Sequence, residues 1–453
     1  MNIVDLLKGY RGAAGVVRPL DLETDTEIYG SMENFEACKE KLESIGGSIE
    51  NVYVTDAALN NIYYIEKENG VYLELFPFCV EYMDMMQLDQ RIPVVRQSQR
   101  EYLDKYKYSM FYTMIPECMR VYDFQHRYLT IPEDKVTEVW LTVYTRIDYG
   151  FSAWDKDVIK YVINHAPSHN KKGNYTIYRG EGTTSTPIQD SFSWTTDINT
   201  ALFFAAMWEG KRVWKANVKA ENIVFFIDKK NEHEVIIAPD DIENLEEMDI
   251  YSGERDNVLE FLYQILDDYK RYGEYIPQIF EDCHNTSTHG ESHTARVLAN
   301  ALLIAAEEMD FLSDSQIEVL AMAAVFHDCG RLGDSVETGH GKRSAEIALE
   351  SEYVKTYFNG NDKKILSAII SCHDIDDENG IKYIEENVPE SCKETAKLLY
   401  YILKDADALD RYRLSGYRRE FDYNLLRLEE SKRLPLVTAA MEKGQIEKIV
   451  LGS

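Results

Sequence analysis

With 79 acidic against 49 basic side chains and a formal net charge of -30, the chain carries a global field that repels polyanions. That balance argues against a sequence-independent grip on nucleic acid, which needs a basic face. Its 453 residues, 45% hydrophobic and 28% charged, describe a globular protein of two or three domains with enough apolar material for sizeable cores.

Seven cysteines (38, 79, 118, 283, 329, 372 and 392) show no CxxC spacing, which predicts free thiols in a reducing compartment. Met1 to Val17 holds no long apolar stretch and no run of about 18 apolar residues occurs elsewhere, so neither a leader nor a membrane span is expected. The expected setting is the cytoplasm, with signal-free export left open.

In chain order, residues 1–94 are a mixed α/β accessory segment without visible chemistry. Met32 to Ile45 reads as an amphipathic helix closed by Gly46-Gly47. Ile62–Ile65 and Val71–Leu75 alternate around Asn69-Gly70, a hairpin signal. From about 95 the pattern is helical, at Arg100 to Tyr112, Pro132 to Tyr144 and Asp155 to His165, before a loop at 166–170. Residues 175–238 are strand-rich. The acidic run 240–247 reads as a solvated connector. Beyond about 255 the periodicity is helical to the end, with a capping box at Ser313 and Gln316.

Two groups of residues stand out against this background. The first is Tyr178-Arg179-Gly180 at a strand end, then Ser193-Trp194-Thr195 followed by Ala201–Ala206, then Glu232-His233-Glu234 opening an apolar strand. Each piece alone is uninformative, but in this order they resemble the R-S-E signature of the arginine-type ADP-ribosyltransferases. The resemblance implies a split β-sandwich with a helical lobe over residues 95–250, and NAD as co-substrate. It implies that Arg179 and Gly180 meet the pyrophosphate, an always-charged fork suited to phosphate oxygens. Ser193 and Thr195 would form the platform for the nicotinamide ribose. Period two along a strand places Ser193 with Thr195, and Glu232 with Glu234, on common faces. Glu234 would then stabilise the developing positive charge, and Glu232 would select the acceptor, a protein rather than a nucleic acid. Trp194, where many members carry a small residue, should point away from Ser193, and His233 should occupy the opposite strand face.

The second group concentrates six of ten histidines between residues 284 and 373. His293, His327-Asp328, His340, His373 and Asp405-Ala406-Asp407-Ala408-Leu409 place ionic groups at the ends of apolar helices, which is costly unless they are paired or bind a metal. The order His, His-Asp, Asp resembles the HD-domain metal phosphohydrolases, implying an all-α domain over 251–453. By that resemblance His293, His327, Asp328 and Asp407 hold a first divalent ion, and His340 and His373 a second. Asp407 is preferred to Asp405 because Ala406-Asp407-Ala408-Leu409 matches the family pattern. Imidazole and carboxylate together suit Mn, Fe, Ni, Co, Zn or Mg without choosing among them. Arg296 and Arg331 stand near the motifs, either as phosphate contacts or as salt-bridge partners.

The expectation is therefore a multidomain α+β chain that is bifunctional. It would be an NAD-dependent ADP-ribosyltransferase and a metal-dependent hydrolase of a nucleotide, a phosphorylated small molecule or an ADP-ribosylated product. Two rivals remain open: an NAD glycohydrolase beside an HD phosphodiesterase, and an inactive NAD-binding sensor that gates the HD enzyme. No membrane partner is expected.

Overall fold

The computed structural model describes five strands within residues 13–77, isolated positions between 108 and 125, and residues 128–444 apart from 148–153, 184, 208–209, 229–230, 282, 284–287, 308–310, 335–336 and 415–419. The chain divides into two compact units, one of residues 1–171 with 188–192, the other of 172–187 with 193–453.

In the first unit, strands β1 (Ala13–Pro19), β2 (Thr26–Gly30), β3 (Asn51–Thr55), β4 (Ile62–Glu66) and β5 (Val71–Pro77) form an antiparallel sheet in the order β2-β1-β5-β4-β3. The expected hairpin is β4 with β5, in register from Tyr63↔Leu75 to Glu66↔Tyr72. The helix expected at Met32 to Ile45, and most of that at Arg100 to Tyr112, lie outside the described residues. Helix α1 (Glu133–Tyr144) follows Pro132, and α2 (Lys156–Asn164) is capped by Asp155, whose carboxylate accepts from Asp157 N at 2.8 Å. Around them Phe124, Trp140 and Trp154 interlock, with ring centroids 5.7 and 5.8 Å apart. These helices belong to the first unit and the arginine strand to the second.

The second unit opens with an antiparallel sheet of β6 (Asn174–Glu181), β7 (Ser193–Thr195), β8 (Arg212–Lys219), β9 (Ile223–Ile227), β10 (Glu234–Ile237) and β11 (Glu243–Glu247), ordered β11-β8-β6-β7-β10-β9. Helix α3 (Ile198–Met207) lies on it, and Gly180 explains how closely. A Cβ there would collide with Ala201 O and sit 2.6 Å from Ala205 N, so only glycine lets the helix settle onto β6. The acidic connector expected at 240–247 is instead an edge strand from Glu243 to its end. Its charges pair across to β8, with Lys215–Glu246 at 2.9 Å, Lys219–Glu243 at 3.2 Å and Arg212–Glu247 at 3.6 Å. A sequence this acidic is a poor strand former alone, and the cationic neighbour makes it one.

Helices complete the unit: α4 (Arg255–Gly273), α5 (Tyr275–Phe280), α6 (Glu291–Glu307), α7 (Asp314–Phe326), α8 (His340–Glu350), α9 (Glu352–Tyr357), α10 (Gly360–Cys372), α11 (Asp377–Asn387), α12 (Lys393–Leu409), α13 (Glu429–Lys432) and α14 (Pro435–Lys443). The capping box opens α7, with Ser313 N donating to Gln316 Oε1 at 2.8 Å. Helices α6 and α7 are apolar nearly all round and buried, so they form the centre of the bundle.

One apolar cluster runs from Ala201, Leu202 and Ala205 of α3 through Val297 and Leu320 to Leu436 and Val437 of α14. Tyr251 N donates to Arg433 O at 2.7 Å and Gly253 N to Gly210 O at 2.8 Å across the same seam. The boundary expected at 250/251 thus falls inside a continuous core. Among the described residues no helix is long and apolar enough to cross a membrane.

Candidate metal centre and a second constellation

Five helix ends build the first site. His293 stands one turn into α6, His327 caps the C-terminus of α7 with Asp328 after it, and His340 begins α8. His373 caps α10, and Asp407 occupies the last turn of α12. Helix α8 comes close enough to α10 because residue 341 is glycine: a Cβ there would lie 2.6 Å from Ile370 O and 3.1 Å from His373 Nδ1.

Every ring commits its outer nitrogen. Nδ1 of His293 meets Asp410 Oδ2 at 2.7 Å, that of His327 meets Ala324 O at 2.7 Å, that of His340 meets Glu337 O at 3.0 Å, and that of His373 meets Ile370 O at 2.7 Å. All four partners accept only, so each Nδ1 carries the hydrogen and, on a neutral ring, each Nε2 is left as a lone pair. Those lone pairs point inwards, with His293 Nε2 3.2 Å from His327 Nε2 and His340 Nε2 3.0 Å from His373 Nε2. Asp328 lies between the two pairs. Its Oδ1 is 3.0 Å from His340 Nε2 and 3.3 Å from His373 Nε2, while Oδ2 is 3.5 Å from His293 Nε2 and 3.8 Å from His327 Nε2. Asp407 Oδ1 completes the His293 side at 3.4 Å.

Lone pairs facing lone pairs beside ionised carboxylates require a shared positive charge. The electrostatics of the site makes the same demand. Burial and Arg413 oppose a proton on His293, but hydrogen bonds to Asp328 and Asp410 outweigh them and hold it above the usual range. Burial pushes its partner His327 down to about 4. Burial opposes charge on Asp407 too, yet His293 and His327 draw it to about 2. The donor set therefore fits a divalent ion, and Asp328, within reach of both histidine pairs, would be shared between two if two were held. Three ligand groups lie within ion-sized spaces: His293-His327-Asp407, His327-Asp328-His373 and His289-His293-Asp328.

The six expected ligands thus converge, and Asp405 is elsewhere. Its carboxylate is buried and takes the backbone N–H of Arg427 at 2.9 Å and of Leu428 at 3.0 Å. Arg296 and Arg331 both form ion pairs within the site. They bind Asp410 Oδ1 at 2.5 Å and Asp328 Oδ2 at 3.0 Å, bracing the site's own carboxylates. Two contributors escaped the sequence reading. Asp410 orients His293 from behind, a place conferred by the turn ending α12, and His289 Nδ1 reaches Asp328 Oδ2 at 2.9 Å. The spacing of His289 and His293, one helical turn apart, was the available signal for the latter.

The second constellation lies on the sheet. Arg179 donates to Ser193 O at 2.5 Å, and Ser193 Oγ donates to the carboxylate of Glu234. The pairings Ile236↔Ser193 and Glu234↔Thr195 put serine and glutamate on one face of neighbouring strands. Trp194 is buried on the other face, opposite Val235, as expected. Four expectations need correction. Glu232 is not on the strand with Glu234, because β10 begins at Glu234 and the preceding turn holds Asn231 and His233 at φ 59° and 47°. His233 is an exposed turn residue 3.5 Å from Asp228, not a strand-face residue. Thr195 is buried and occupied, donating to Glu232 O at 2.8 Å and accepting from Asp197 N at 3.1 Å, so it pins the Glu232 turn. Gly180, expected to admit a ligand, has its small size used by α3 instead.

With this geometry in view, comparison with protein families matches the HD domain to residues 290–412. Residues 290–412 contain all six predicted ligands, and the match supports metal-dependent phosphohydrolase chemistry for the helical half. No curated protein and no solved structure matches the chain.

Proposed function

We propose that the helical half hydrolyses a phosphate ester or anhydride of a nucleotide or an ADP-ribosylated product, using one or two divalent ions held by His293, His327, Asp328, Asp407, His340 and His373. The carrying observation is the pair of inward Nε2···Nε2 contacts at 3.2 and 3.0 Å that share one carboxylate. When bound, such ions lower the pKa of water and stabilise charge on phosphate oxygens. The protein's own residues supply orientation. Backbone carbonyls and Asp410 fix each imidazole tautomer, and Asp407, 30% exposed in its side chain, lies on the side from which a phosphate would enter. The test incubates the Mn-loaded full-length chain with nucleoside mono-, di- and triphosphates, cyclic dinucleotides and ADP-ribosylated protein. Turnover that Asp328→Ala abolishes is expected. A fully metal-loaded chain that cleaves none of these would retire the hydrolase reading.

A second activity, transfer of ADP-ribose from NAD to a protein, is supported by the contiguity of Arg179, Ser193 and Glu234. In it the Arg179 guanidinium binds pyrophosphate, and Glu234, oriented by Ser193, faces the developing positive charge at the ribose. Incubating labelled NAD with lysate and the chain tests it: label on protein is expected, and its loss in Glu234→Gln. Free ADP-ribose alone would mean a glycohydrolase. Unchanged NAD with an altered phosphohydrolase rate would mean a sensor.

A further inference from the structure

Trp214 of β8 stands directly opposite Arg179 of β6, in a register that runs unbroken from Asn174↔Lys219 to Glu181↔Arg212. Cross-strand partners share a sheet face, so indole and guanidinium are neighbours on one side. The alternate residues take the other side, where Val213 is fully buried and α3 closes over Gly180. Trp214 is thus turned away from the helix and is half-buried. Its indole N–H donates to Glu181 Oε2 at 2.7 Å, two residues beyond Arg179 on β6. Glu247, its partner on β11, is exposed and lies 3.6 Å from Arg212. Among the described residues no aromatic ring or cation stacks on the indole.

The bond to Glu181 satisfies the one polar atom of the ring and fixes its plane, which leaves the π face for a ligand. A π face beside a guanidinium suits a base that carries phosphate. Bases stack on aromatic side chains, and the fork takes phosphate oxygens. Strand order gives the ligand a direction. Strands β7 and β10, which carry Ser193 and Glu234, lie on one side of β6, and β8 lies on the other. Arg179 stands between them, donating to Ser193 O across one strand boundary and facing Trp214 across the next. In a dinucleotide the pyrophosphate separates two nucleosides in the same way.

We propose that Trp214 is the stacking platform for the adenine of NAD, with Glu181 as the positioning residue that holds the indole. The assignment rests on the reading of Arg179, Ser193 and Glu234 as a site for NAD, and it adds the base that the site recognises.

All five tryptophans lie between residues 140 and 214, so tryptophan emission reports on this part of the chain and not on the metal centre. The metal-loaded full-length chain is titrated with α,β-methylene-ADP, which resists hydrolysis, and with methylenediphosphonate, which lacks the base. Saturable quenching by the first and none by the second is expected, and Trp214→Phe should remove most of it. By equilibrium dialysis with labelled α,β-methylene-ADP, Trp214→Phe should keep the affinity, whereas Trp214→Ala should lose about 5- to 150-fold, the range for a lost base stack. Glu181→Ala should weaken binding in the parent but not in the Trp214→Phe chain, whose ring has no N–H to hold. Absent quenching, or equal affinity in the Phe and Ala variants with matching melting curves, would overturn the platform. NAD turnover is read separately. Quenching that depends on Trp214 without any turnover would retire the transferase and leave the platform. Turnover that Glu234→Gln abolishes, with a KM for NAD that Trp214→Ala leaves unchanged, would do the reverse.

Discussion

His293 and His327 face each other through their Nε2 atoms at 3.2 Å, although each has given its Nδ1 hydrogen to an acceptor behind it. His340 and His373 repeat the arrangement at 3.0 Å. Asp328 touches both pairs with different oxygens. The consequence is a stoichiometry. Removing one pair member should empty one position, and removing the shared carboxylate should empty both. By inductively coupled plasma mass spectrometry, His340→Ala should retain about one ion per chain and Asp328→Ala close to none. Equal metal content in the two variants would contradict a bridged pair.

Asp410 is fully buried, yet its charge is balanced three ways, by His293 Nδ1 at 2.7 Å, Arg296 Nε at 2.5 Å and Arg413 at 3.2 Å. It touches no ion-facing atom, so it acts through the ring it holds. Asp410→Asn should lower metal affinity about 10- to 100-fold, the usual effect of removing a carboxylate behind a ligating histidine. Breaking the buried pair should also cost about 3–5 kcal/mol of stability. Affinity by competition with a fluorescent chelator separates the two effects. A variant that loses stability but binds metal as tightly as the parent would make Asp410 purely structural.

Acid should loosen the loop after α12 before it reaches the core. Partial burial opposes ionisation of Asp377, but hydrogen bonds from Arg427 at 2.7 and 2.8 Å and Lys404 at 2.7 Å outweigh it and bring the carboxyl to about 2. A folded pKa below the unfolded value of about 3.9 means the contribution is complete above about pH 4 and lost as the pH falls towards 2. The stability gap between the parent and Asp377→Asn should therefore shrink across that window in denaturant titrations. A gap that stays constant from about pH 5 to 2 would show that Arg427 is held by Asp405 alone.

What the sequence reveals and conceals follows from where each constraint resides. The six candidate ligands are legible because ionic residues ending apolar helices such as α7 are too costly to bury without a charged partner or a metal. Ser193 and Glu234 are legible because strand periodicity reaches that far. Glu232 is not, since β10 starts only after two left-handed residues, a backbone choice fixed by Thr195 and Thr196 from a neighbouring strand. Strand β11 is concealed for the same reason, its pairing residing in Lys215 and Lys219 some thirty positions earlier. The continuity of the core across residue 250 is likewise tertiary, carried by Leu436 packing near Gly210 and Gly253.

Gly180 offers the clearest separation of packing from ligand binding on the sheet. Its Cα faces the backbone of α3, where a methyl group would overlap Ala201 O and press on Ala205 at 2.6 and 2.9 Å. The neighbouring atoms are helix backbone and cannot swing aside, so the strain must displace α3 or β6. Gly180→Ala should therefore destabilise the chain by about 1–3 kcal/mol, the range for overpacked cores. Because α3 shares its core with α6 and α14, the loss should appear as an earlier melt of the whole second unit, read by hydrogen exchange in both β6 and α6. Protection lost in β6 while α6 stays unchanged would show that sheet and bundle unfold independently. An unaltered melting temperature would return Gly180 to the role of admitting a ligand.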